Sequence, residues 1–124
     1  MKCLLLNARS AVNRRIDLQC QIYQEKLHVV LITESWGYES VSSELTLDGY
    51  RPERFDRKDG RKGGGVLMHL MDGIDYKREY KLEKNDVEAL LCKIGDTLIG
   101  VCYNSSSNSE EKVMKLHEQL RKAF

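Results

Sequence analysis

The chain has 124 residues, room for one modest domain. With 41% hydrophobic and 31% charged residues it has the make-up of a globular protein and excludes a disordered or bilayer-embedded one. A formal net charge of +1 supplies no bulk attraction for a polyanion, so any nucleic-acid affinity has to come from a local patch.

Cys3-Leu4-Leu5-Leu6 is a short apolar run that reads as a strand buried on both faces. Asn7-Ala8-Arg9 closes it before the hydrophobic stretch of a signal peptide can form, so an intracellular location is expected. Asn13 offers an N-cap for a helix over 13–26, with Ile16, Cys20, Tyr23 and Leu27 recurring at helical spacing. Val29-Val30-Leu31-Ile32, up to Thr33, is a second strand. Neither apolar run is long enough to cross a bilayer. Strand, amphipathic helix, strand is a βαβ unit, and its two strands should be parallel.

From Gly37 to Arg57 the pattern dissolves into a polar loop with an aromatic island at Tyr50 and Phe55. Asp59-Gly60 marks a tight turn, and Gly63-Gly64-Gly65 leads into a strand from Val66 to Leu70. Two further strands, Val87 to Ile94 and Leu98 to Tyr103, flank a hairpin loop at Gly95-Asp96. A polar segment, Ser105 to Ser109, opens a helix with Glu110 and Glu111 in its first turn and an apolar stripe of Val113, Leu116, Leu120 and Phe124. The chain stops inside or just after that helix, an odd place for a domain to finish. Cys3, Cys20, Cys92 and Cys102 lie in apolar stretches without Cys-x-x-Cys spacing, and are expected to be buried free thiols.

In a parallel pair both C-terminal strand ends lie at one sheet edge, where open α/β sheets place ligands. Asn7 follows the first apolar run and Glu34 the second, so an amide and a carboxylate should meet there. One such carboxylate suits Mg²⁺, which keeps most of its waters. Polar residues at strand ends also anchor turns, and spacing alone leaves both readings open.

Leu5-Leu6-Asn7-Ala8-Arg9-Ser10 followed by Val30-Leu31-Ile32-Thr33-Glu34-Ser35-Trp36 resembles the paired signature of the endonuclease/exonuclease/phosphatase superfamily. Leu47-Asp48-Gly49-Tyr50, Asp56-Arg57, Arg61-Lys62-Gly63-Gly64-Gly65-Val66, Val87-Glu88-Ala89 and Ile99-Gly100-Val101-Cys102-Tyr103 make it similar to the apurinic-endonuclease-like endonucleases of non-LTR retrotransposons. Each piece is short. The ordered set runs from residue 4 to about 120.

The resemblance implies a metal-binding role for Glu34, a place at the active-site floor for Asn7, and a position lining the scissile phosphate for Tyr103. It implies Mg²⁺ or Mn²⁺ as cofactor and DNA as partner; the short apolar runs give no membrane association, and the intracellular location expected includes the nucleus. Branch members often continue the tyrosine with arginine and prolines, where this chain has Asn104-Ser105-Ser106. The superfamily completes its site with an Asp-x-Asn element and a terminal Asp-His pair, and neither stands in these residues. Gly95-Asp96-Thr97 only superficially matches the first of these, and no aspartate precedes His28, His69 or His117. All three histidines are read as structural.

Arg51 to Gly65 carries six basic and three acidic residues. Arg57, Arg61 and Lys62, with Arg54 and Lys58, either grip a DNA backbone or decorate a solvated hairpin tip.

The expected fold is α/β. One mixed sheet runs through residues 3–103 with flanking helices, as the N-terminal half (residues 1–124) of a DNase I-like, four-layered α/β-sandwich domain. The expected function of the complete domain is Mg²⁺-dependent hydrolysis of a DNA phosphodiester, this chain alone being inactive. The alternatives are a non-catalytic remnant that binds DNA or a protein partner, and a superfamily phosphatase acting on a small phosphate ester. An apolar sheet face left bare by the missing half would make the chain self-associate or dock that half.

Overall fold

The computed structural model describes residues 1–36, 45–57, 63–83, 87–104 and 110–123. Cys3–Asn7 (β1) and Val29–Thr33 (β2) pair in parallel, with Cys3 opposite Val29 and Asn7 opposite Thr33. Arg15–Glu25 (α1) makes the crossover between them. The helix starts two residues after Asn13, without a side-chain cap, and the Asn13 N–H donates to Ser10 Oγ at 3.4 Å. It ends at Lys26, whose left-handed φ of +52° lets its N–H donate to the Ile22 carbonyl.

The face that α1 buries is Leu18 and Ile22, not the expected Ile16, Cys20 and Tyr23 stripe. Ile16 is 75% exposed and Tyr23 46%. Two stripes at helical spacing compete in this segment, and the approach of the sheet selects one. Leu18, Ile22 and Leu27 pack on Val30, Ile32 and Leu67, each worth roughly 1.5–3 kcal/mol on full burial.

β2 continues antiparallel to Val66–Met71 (β4), and β4 antiparallel to Tyr50–Phe55 (β3), giving the order β1-β2-β4-β3. β3 falls where the sequence reads as polar loop. It is an edge strand, which tolerates Pro52 and the polar side chains of Arg51, Glu53 and Arg54.

The expected single sheet is in fact two. Lys77–Arg78 (β5), Ala89–Ile94 (β6) and Thr97–Cys102 (β7) form a separate antiparallel sheet in the order β5-β6-β7, with the hairpin turn at Gly95-Asp96. Val29, Phe55, Val66, Met68 and Leu70 of the first sheet pack against Leu90, Cys92 and Val101 of the second. Glu110–Ala123 (α2) sets Leu116 and Leu120 on Val87 and Ala89 at the second sheet's outer side, while Gly100 and Cys102 on that side of β7 stay exposed. The layers therefore run helix, sheet, sheet, helix.

The second sheet covers β2, β4 and β3 on the inner side of the first sheet but leaves Cys3, Leu5 and Asn7 of β1 exposed, Leu5 at 66%. What stays bare is one strand and not the whole face, and nothing in the fold supports the expected self-association. On the side of edge strands β3 and β5, Arg78 clasps the two sheets. Its guanidinium donates to Glu53 at 3.2 Å and to Glu83 at 2.8 and 3.0 Å. Among the described residues no helix is long and apolar enough to cross a membrane.

All four cysteines are free, but only Cys92 is buried, and burial first pushes its thiol up to about 12. Cys3 lies on edge strand β1 and Cys20 on the outer side of α1, and both are exposed with Cys102. An apolar stretch does not bury every member when one face of its element meets water.

His28 accepts from the Lys2 N–H through Nδ1, and His117 lies exposed on α2. His69 is 2% exposed on β4, with no hydrogen-bond partner at Nδ1. It shares a small pocket with Arg15, Leu18, Ile32 and Leu47. Burial holds it at about 4, so the folded state keeps it neutral where the unfolded state takes up a proton. Its contribution to stability is complete above about pH 6.5 and is lost as pH falls toward 4, at most roughly 3 kcal/mol. Urea denaturation at pH 7 and pH 5 should show His69→Leu flattening that dependence. An unchanged slope would assign the acid sensitivity elsewhere.

Candidate active site

The C-terminal ends of β1 and β2 stay paired beyond the strands. Ala8 N–H donates to the Thr33 carbonyl at 3.0 Å, Ser10 N–H to Glu34 at 2.9 Å, and Ala11 N–H to Ser35 at 3.0 Å. Four non-glycine residues here adopt left-handed backbone, Arg9 (+46°), Ser10 (+93°), Glu34 (+52°) and Trp36 (+54°). Such residues cost on the order of 1–3 kcal/mol each and persist only where the surroundings over-determine them.

Gly64 and Gly65 provide that constraint from the opposite side. Ser35 N–H donates to the Gly65 carbonyl at 3.3 Å and Trp36 N–H to Gly64 at 2.9 Å. Both glycines have positive φ, +70° and +84°, and a Cβ on Gly65 would sit 2.6 Å from Ser35 Oγ. The glycine run is a buttress for the loop that carries Glu34.

Tyr103 arrives from the other sheet, one residue past β7. Its N–H donates to the Glu88 carbonyl at 2.9 Å, and its hydroxyl donates to Glu34 Oε1 at 2.8 Å. Partners 69 positions apart are thus joined across the two sheets. The bond to Glu34 raises the Tyr103 phenol above its ordinary value, with burial adding to it. Asn7 lies exposed at the same edge, opposite Thr33.

Behind this edge lies a buried ion pair. Arg57 Nε and its terminal amine donate to the two oxygens of Glu88 at 3.0 and 3.1 Å, with side chains 7% and 8% exposed. Gly65 N–H adds a third bond to Glu88 at 2.8 Å. Arg57 is therefore committed inside the protein, which corrects its reading as a cation presented to a DNA backbone. Arg61 and Lys62, the other two residues of that expected patch, lie outside the described residues.

No protein-family model matches the sequence, and no curated protein matches it. Solved structures do. The endonuclease domain of TRAS1, a telomere-specific non-LTR retrotransposon, shares 15% identity at a TM-score of 0.66, over 98% of this chain and 52% of that one. The catalytic domain of Xenopus laevis APE2 shares 10% at 0.66 over 98% and 52%, and the AP endonuclease LMAP of Leishmania major 11% at 0.64 over 98% and 44%. The fold is that of the AP endonucleases.

The chain spans about half the length of these AP-endonuclease-fold structures. Within the fold, the edge holding Glu34, Tyr103 and Asn7 offers one carboxylate, one phenol and one amide. Among the described residues, no group of three or more His, Cys, Asp or Glu side chains converges as a metal cage. Glu34, with one oxygen taken by Tyr103, is the side chain of this edge able to hold a cation. A single carboxylate among neutral groups fits a hydrated Mg²⁺ better than a dehydrated, fully caged ion.

Nothing in the sequence motifs assigns Glu88 a role. A signal was there, since a lone carboxylate between Val87 and Ala89 at the head of an apolar strand must find a cation or donors if it is buried. Its partner could not be found the same way, because Arg57 stands among several basic residues.

Proposed function

We propose that this chain forms the metal- and phosphate-binding edge of a Mg²⁺-dependent nuclease that hydrolyses DNA phosphodiesters, of the kind carried by non-LTR retrotransposons. The observation that carries it is the Tyr103–Glu34 hydrogen bond, which joins the ends of strands from both sheets beside Asn7. The fold shared with AP endonucleases and the TRAS1 endonuclease domain supports the same reading.

Glu34 would hold Mg²⁺ (or Mn²⁺), which supplies positive charge to a phosphate oxygen when bound. Tyr103 keeps the Glu34 carboxylate oriented by donating to one of its two oxygens. The Asn7 amide has a donor for a phosphate oxygen and an acceptor for a water. Water activation and protonation of the leaving group are work for an aspartate–asparagine element and a histidine, which the 124 residues do not carry in the superfamily's pattern. The reading is therefore of the complete domain's reaction, with this chain as the part that holds metal and phosphate.

The test is a Mn²⁺ titration followed by NMR, without and with a short DNA duplex. Paramagnetic broadening should centre on the amides of Asn7, Glu34 and Tyr103, tighten with DNA, and vanish in Glu34→Gln. Broadening centred on Glu110 and Glu111, or unaffected by Glu34→Gln, would overturn the proposal.

A further inference from the structure

Two positions past Glu34, Trp36 combines features that ordinary packing does not explain. Its backbone is left-handed at φ +54°, an outlier for a bulky aromatic residue. Burial would be the usual return for that strain, yet the residue is 37% exposed while neighbouring Ser35 is 1% exposed. The backbone that carries the indole is anchored. The Trp36 backbone N–H is bonded to Gly64 at 2.9 Å, and the ring lies against Gly63, its Nε1 3.1 Å from where a Gly63 Cβ would stand, so glycine makes room for it. The result is an aromatic surface on anchored backbone, partly open to solvent, on the loop of the carboxylate edge.

We infer that Trp36 is a stacking platform for an unstacked nucleobase next to the phosphate bound at Glu34. The inference rests on the nuclease reading and adds the form of the substrate, a strand with a base displaced from its duplex stack. An aromatic ring stacks on any base through its π-face, without reading sequence. A ring on anchored backbone has only its own side-chain torsions left to lose on contact, so less of the interaction is spent on ordering.

Trp36 is the sole tryptophan, so intrinsic fluorescence reports the platform directly. The full chain in Mg²⁺ is titrated with three DNA ligands of equal length: a single strand, a blunt duplex and an abasic sugar-phosphate strand. Affinities of labelled ligands are measured in parallel for wild type, Trp36→Ala, Trp36→Phe and Glu34→Gln. Saturable quenching by the single strand is expected, with little from the duplex or the abasic strand. Trp36→Ala should weaken single-strand binding about tenfold and leave abasic-strand binding unchanged, while Trp36→Phe restores most of the loss.

Equal binding of base-bearing and abasic strands, or quenching by duplex as strong as by single strand, would overturn the platform. So would a Trp36→Ala variant that binds the single strand like wild type. If Glu34→Gln still abolishes Mg²⁺-dependent binding in that case, the nuclease reading survives without it. If neither Glu34 nor Trp36 affects binding, both fall.

Discussion

Replacing Glu88 with alanine should cost the fold about 3–5 kcal/mol, because it leaves the Arg57 charge buried and unpaired. Glu88 accepts from Arg57 through both oxygens and from the Gly65 N–H, with both charged side chains over 90% removed from water. Against a total stability on the order of 5–15 kcal/mol for a domain of this size, such a loss is a large fraction of the margin that keeps the chain folded. The decisive comparison is the double substitution Arg57→Met with Glu88→Leu. Removing both charges should recover most of the stability, since an apolar pair of similar volume is often neutral in such a place. Urea midpoints of the three proteins measure this. A Glu88→Ala loss below about 1 kcal/mol would mean the pair is solvated and contributes as a surface ion pair does.

Gly64→Ala should be comparably damaging, at about 3 kcal/mol or more. Left-handed backbone at φ +70° costs an L-residue roughly 1–2 kcal/mol. The added Cβ would also fall inside van der Waals contact with Arg57 Nε and Glu88 Oε1. Those atoms end flexible side chains, but they can yield only by breaking the buried pair. Gly49 isolates the backbone part, since it has φ +83° and nothing within 4 Å of a Cβ. Gly49→Ala should therefore lose only the backbone cost. In a Glu88→Ala background the Gly64→Ala loss should shrink toward that same value, a coupling a double-mutant cycle reads directly. Full additivity of the two losses would show that the glycine is required by its backbone alone.

Both predictions bear on the site as well as on stability. Through its side chain Glu88 holds Gly65, which supports the Ser35–Trp36 segment, and through its carbonyl it holds Tyr103. One residue thus ties together the two loops whose side chains meet in the Tyr103–Glu34 bond.

What the sequence determined by itself was local and periodic. The βαβ start was legible because Leu4–Leu6 and Val29–Ile32 are apolar runs bracketing a helix-length segment, and parallel pairing follows from the crossover. That pairing brought Asn7 and Glu34 to one edge. The β6–β7 hairpin was legible from Gly95-Asp96, and α2 from its cap-rich entry and Leu116–Leu120 spacing. The place of Tyr103 beside Glu34 followed from resemblance, not from any local pattern.

Only the tertiary structure decided which strands share a sheet. Alternation tells a strand that it has two faces and says nothing of its neighbour, so β6 and β7 looked like a continuation of the first sheet when they cover it. β3 was hidden because an edge strand need not be apolar or free of proline. The inward face of α1 was ambiguous because two stripes share one spacing, and only the approach of Val30, Ile32 and Leu67 breaks the tie. Arg57 resembled its basic neighbours in sequence. The fold separates it from solvent by placing Glu88, from just before a distant strand, where Arg57 and the Gly65 N–H together satisfy its carboxylate.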